Sequence, residues 1–163
     1  MAMVGWDEKF SLGLPLFDAQ HQLIAETLNE LHSAIMKSAP RNKIALLLHS
    51  LVGYTRSHFA AEEAAMAATR YPDLARHHEL HDEILQKATK LVTGFDRGQA
   101  SPNLLVLNFV RDSLHQHIVE VDRLYAPWLS EHGAFQSDSA AHCSNDDCVG
   151  ANIAAAFGSE ARS

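Results

Sequence analysis

The sequence predicts an all-α protein, an up-down-up-down antiparallel four-helix bundle with an N-terminal arm and a flexible C-terminal tail. Three observations carry this. No stretch alternates apolar and polar residues for long, so strand signals are nearly absent. Four long segments instead repeat apolar residues at steps of three and four, the period of a helix with one buried face. Only a few residues join successive segments, which favours antiparallel neighbours.

The first helix is expected over about residues 18–36, with Asp18 as N-cap and Pro15 just upstream. The second spans about 41–69, between Pro40 and the Tyr71-Pro72 break, and the third about 73–95, stopping near Gly94 and Gly98. The fourth spans about 101–131, with Ser101 as cap, Pro102 at the first helical position and Gly133 beyond. Pro127 is expected to bend or fray its last turn. Residues 1–132 thus form the bundle unit, the first seventeen being an arm anchored by Trp6 and Phe10. Residues 133–163 are Ala/Ser/Asp-rich and aperiodic; they read as a flexible tail, with a short helix at Asn152 to Phe157.

A chain of 163 residues can bury its own core. Its net charge of −7, with no clustered basic face, excludes nucleic acid and anionic membrane as partners. No run of eighteen apolar residues occurs, and Asp7 and Glu8 stand where a secretory signal needs positive charge. A cytoplasmic protein without membrane insertion, monomeric, is the expectation. Cys143 and Cys148 are too few for a disulfide framework and read as free thiols in the tail, which fits a reducing compartment. Met36 and Met66 read as core fillers.

Eleven histidines are the compositional anomaly, and their placement carries the functional argument. The apolar stripe of the first helix is Phe17, His21, Ile24, Leu28, Leu31, Ile35. The second gives Ile44, Leu47, Leu51, Thr55, His58, Glu62, Ala65; the third His77, His81, Ile84, Ala88, Leu91, Phe95. The fourth gives Leu107, Val110, Leu114, His117, Val121, Leu124. Every helix thus places a histidine in the seam where a bundle packs its core. In an antiparallel bundle the early turns of helices one and three lie level with the late turns of two and four. His21, His58, Glu62, His77, His81 and His117 therefore converge on one layer. Asp122 is five residues from His117, about 140° around an ideal helix. It reaches the layer either from the flank of the stripe or through a π-bulge.

Burying five histidines and two carboxylates without partners would cost roughly 1–3 kcal/mol each. The net stability of a whole domain is only about 5–15 kcal/mol. Metal coordination resolves the conflict. Seven donors exceed the needs of one ion, and two ions sharing two bridging carboxylates would use them all. Imidazole together with bridging carboxylate favours iron. His32, His49, His78, His115, His132 and His142 fall off the stripes and read as solvated surface residues. Glu63 reads as a surface charge or a partner to a ligand.

The segments Leu16-Phe17-Asp18-Ala19-Gln20-His21, His58-Phe59-Ala60-Ala61-Glu62-Glu63, the pair His77 and His81 after Tyr71-Pro72, and His117 with Asp122 resemble the hemerythrin signature. The resemblance covers roughly residues 4–131 and is nearest to the bacterial single-domain hemerythrins. It implies two irons joined by an oxo or hydroxo bridge. His77, His81 and His117 would hold one, His21 and His58 the other, and Glu62 and Asp122 would bridge them. Dioxygen would bind reversibly at the open position of the second iron, for storage, transport or delivery to oxygen-using enzymes, and not as an enzyme. The alternatives are an oxygen or redox sensor acting through a partner, and a di-iron peroxidase or nitric-oxide-consuming enzyme. Two positions depart from the family pattern. Ser113 stands where members often carry tryptophan, and Ile84 where many carry phenylalanine. Both changes are expected to alter packing and solvent access near the site and to speed oxidation to the diferric form.

Overall fold

The computed structural model describes residues 10–100 and 104–133. Among these, four helical rods form the bundle and no strand occurs. The rods are α1 (Pro15–Met36), α2 (Arg41–Ala68), α3 (Leu74–Asp96), and a fourth built from three segments. In the fourth, α4 (Leu104–Gln116) runs into a π-helical turn (His117–Asp122) and on into α5 (Arg123–Glu131). Trp6, Ser101, Pro102 and the tail with His142, Cys143 and Cys148 lie outside the described residues.

Contacts between rod ends establish the alternation of direction. Arg41, opening α2, donates to the Phe95 carbonyl and lies 4.0 Å over its ring, at the end of α3. His58, late in α2, bonds Gln20, early in α1. The Trp128 indole donates to Thr69 O at 3.2 Å, tying the end of the fourth rod to the end of α2.

The first helix starts earlier than its periodicity suggests. Pro15 is its first residue, where a missing N–H costs nothing, and Asp18 lies inside the first turn and is not the N-cap. Asp18 instead accepts from the Leu12 and Gly13 amides, at 2.7 and 3.2 Å, and from Ser11 Oγ. The carboxylate therefore organises the strap entering the helix. Phe10, buried on that strap, meets His115 edge-on at 5.2 Å. Gly98, at φ 71°, ends α3, its amide bonding Phe95 O. Pro127 does not end α5, which continues to Glu131.

Two apolar clusters make the core. One is built on Ile24, Leu28, Leu31, Leu48, Leu51, Phe95 and Leu107, the other on Leu14, Phe17, Met66, Tyr125 and Leu129. Two residues read as core lie outside: Met36 is 62% exposed and Leu124 is 69% exposed. Met36 closes α1 on the face turned away from the core, which that turn meets through Ala34 and Ile35. Leu124 is turned outward by the π-helical turn that precedes it.

Candidate metal centre

Between the two apolar clusters lies a polar layer. His21, His58, Glu62, His77, His81, His117 and Asp122 all come together there, none more than 4% exposed. On α2, His58 and Glu62 are four apart, as are His77 and His81 on α3, so each pair shares a helix face. On the fourth rod the π-helical turn runs from His117 to Asp122. A π turn returns to the same face after five residues where an α-helix returns after about four. Five-residue spacing thus becomes one-face spacing, which settles how Asp122 enters the layer.

Each carboxylate divides its oxygens between two histidine groups. Glu62 Oε1 lies 3.2 Å from His58 Nε2 and 3.9 Å from His21 Nε2, while Oε2 lies 3.2 Å from His81 Nε2 and 3.8 Å from His77 Nε2. Asp122 Oδ2 lies 3.4 Å from His21 Nε2, while Oδ1 lies 3.1 Å from His117 Nε2 and 3.4 Å from His77 Nε2. Two donor clusters result. One holds Glu62, His77, His81, His117 and Asp122; the other holds His21, His58, Glu62 and Asp122. Within each, the donor atoms lie within 4.8 Å of one another.

The protein does not satisfy this layer by itself. His21 Nε2, His58 Nε2, His77 Nε2, Glu62 Oε2 and both Asp122 oxygens are buried without a hydrogen-bond partner. Each such atom costs about 1–3 kcal/mol unless something else engages it. His81 Nε2 and His117 Nε2 face each other at 3.0 Å. A cation between them would take a lone pair from both. Imidazole nitrogens with shared carboxylates fit iron.

A second ring of residues orients the donors. Glu63 Oε1 accepts from His81 Nδ1 at 2.7 Å, and its Oε2 accepts from His78 Nδ1 at 2.9 Å. Gln20 Oε1 accepts from His58 Nδ1 at 2.9 Å. With Nδ1 carrying the hydrogen, Nε2 of His81 and of His58 is left to donate its lone pair inward. His78 is thus half-exposed yet tied to the site. Phe59 stacks on His81, ring centres 3.6 Å apart. The Tyr125 hydroxyl donates to Glu62 Oε1.

In the metal-free chain burial alone would raise the Glu62 carboxyl, but the close imidazoles, His58 first and then His77 and His81, hold it well below the usual range. Burial and the Glu62 charge oppose ionisation of Asp122; the close His117 and His21 imidazoles overcome them and lower it. Burial, then the neighbouring His58, pushes His21 down. Burial also works against charging His117, but the Asp122 carboxylate 3.1 Å away wins and raises it. Tyr125 is raised well above a free phenol, first by burial and then by the Glu62 and Asp122 charges, so it stays a donor.

Tyr125 and Gln20 were not among the residues singled out from sequence. Helical periodicity continued through His117 puts Leu124 on the inner face, whereas the π turn advances the register by one and brings Tyr125 in. Gln20 carries a weaker signal, being the immediate neighbour of His21.

Residues 12–129 match the family model of the hemerythrin HHE cation-binding domain. The chain belongs to the hemerythrin family. Bacteriohemerythrin of Methylococcus capsulatus is 35% identical over 131 residues, covering 80% of this chain and 99% of the relative. Bacteriohemerythrin of Stenotrophomonas maltophilia is 32% identical over 132 residues, covering 81% and 85%. A myohemerythrin of Riftia pachyptila is 30% identical over 120 residues, covering 74% and 88%. A wild-type hemerythrin crystal structure superposes with a TM-score of 0.75 at 35% identity, covering 79% of this chain and 99% of that one. The match spans between 85% and 99% of the length of these relatives. Among the described residues, no helix is long and apolar enough to cross a membrane.

Proposed function

We propose that the chain binds dioxygen reversibly at a di-iron centre held by His21, His58, Glu62, His77, His81, His117 and Asp122. The observation that carries this reading is the division of each carboxylate's two oxygens between a three-histidine and a two-histidine group. Two ferrous ions held there would supply the two electrons that dioxygen can accept and give back.

The residues around them favour return over consumption. His21 and His58 offer one imidazole fewer than His77, His81 and His117, so the exchangeable position falls on their side. Phe17 meets His58 edge-on at 5.9 Å, buried Ile24 and Leu114 lie about one turn from His21 and His117, and buried Ile118, next to His117, lines a small space with them beside His21. These walls exclude water and bring no acid to protonate a bound ligand. Tyr125, the nearest phenol, spends its hydrogen on Glu62.

The test is metal analysis and a visible spectrum of protein reduced anaerobically, exposed to air and returned to argon. Two irons per chain and a charge-transfer band that appears in air and vanishes under argon are expected. Irreversible oxidation on first exposure would remove the carrier reading.

A further inference from the structure

An apolar cavity of about 110 Å³ opens between α2, α3 and the fourth rod. Thr55, Ile84, Leu91 and Ser113 contribute to its walls, and exposed Phe109 and Lys87 stand at its mouth. Thr55 lies three residues before His58, Ile84 three after His81, and Ser113 four before His117. About one helical turn, some 5.4 Å, therefore separates each of them from the metal layer. Ser113 and Ile84 both line this space and leave it unfilled.

Apart from the Ser113 hydroxyl, the lining asks nothing polar of an occupant. Thr55 Oγ1 donates to its own helix at Leu51 O, 2.8 Å away. Lys87 Nζ sits 3.9 Å from Glu83, so its methylenes can face the cavity. An enclosed apolar cavity of ~150 Å³ binds benzene or xenon; at about 110 Å³ with an open mouth, this space sets benzene's size as the upper limit for an occupant. We propose that this cavity is a binding site for a small uncharged organic molecule of about benzene's size, admitted between Phe109 and Lys87.

The proposal goes beyond the dioxygen reading and does not depend on iron. Its test is titration of the full-length protein, metal-free and iron-loaded, with benzene and separately with xenon, under argon. Methyl NMR resonances of Leu51, Leu91 and Leu114 are followed. Saturable shifts confined to these methyls, with a benzene-dependent rise in melting temperature, are expected. Ser113→Trp fills the space and should weaken benzene binding at least about tenfold; Ile84→Phe should act in the same direction and serves if the tryptophan variant does not fold. Absence of saturable shifts with benzene, xenon binding alone, or benzene binding unchanged in the folded variants would each overturn the proposal. None of these outcomes touches reversible oxygenation, which is read separately.

Discussion

Glu63 follows Glu62 on α2, a position that suggests a helix-surface charge or a partner to a ligand. Its carboxylate receives hydrogens from His81 and His78 and is lowered by both, against the burial that opposes its charge. Removing it leaves His81 Nδ1 without its acceptor and the ring free to rotate. Residues that orient metal-bound histidines typically contribute about 10–100-fold in metal affinity. Glu63→Ala is expected to lose ferrous affinity in that range, measured by competition with a chelator, while His78→Ala, one step further out, loses less. Equal affinity for wild type and Glu63→Ala would leave the hydrogen bond without a positioning role.

At the scale of elements, the π-helical turn decides which residues of the fourth rod face inward. Continued α-periodicity would bury Leu124 and expose Tyr125; the observed exposures are 69% and 0%. A pair of substitutions separates the two registers. Leu124→Lys should change stability by no more than about 0.5 kcal/mol, as surface substitutions do. Tyr125→Ala should cost about 3–5 kcal/mol, the cost of emptying a buried aromatic site. Urea unfolding of both variants, metal-free, provides the comparison, and the reverse order would mean an uninterrupted α-helix.

For the molecule as a whole, a layer of unpaired buried groups sits across a bundle otherwise packed with aliphatic and aromatic side chains. Iron that binds only the folded chain stabilises it by mass action. Chelation should therefore lower the melting temperature, and restored iron should raise it again. The pH dependence of the metal-free form follows from the shifts. Glu62, Asp122 and Glu63 are lowered on folding, so they contribute stability that is present above their unfolded values near ~4 and lost as pH falls through the folded ones. His21 is lowered, so its contribution is lost as pH falls below ~6.5; His117 is raised, so its contribution is lost as pH rises through its folded value. The two histidines act in opposite directions and on opposite sides of their common unfolded value. Melting temperatures of the metal-free protein should therefore be highest near pH ~6.5, decline modestly above it as His117 loses its proton, and fall steeply below about pH 4. Stability that increased on acidification below about pH 6 would contradict this assignment.

The four helices and the convergence of His21, His58, Glu62, His77, His81 and His117 on one layer were legible from the sequence alone. Both follow from local rules: a 3.6-residue period assigns each residue to a face, and short connections assign each turn to a height. Asp122 was legible as a candidate with its route left open between the flank and a π-bulge, and Glu63 as a surface charge or a partner to a ligand, without its two histidines. Tyr125, the exposure of Leu124 and the cavity beneath Ser113 and Ile84 were not legible. These depend on what lies opposite a residue on another helix. An extra residue in a helical turn is unfavourable locally, and no periodicity announces it. It persists because it turns Asp122 toward three imidazoles and Tyr125 toward Glu62, groups that only the assembled bundle brings within reach.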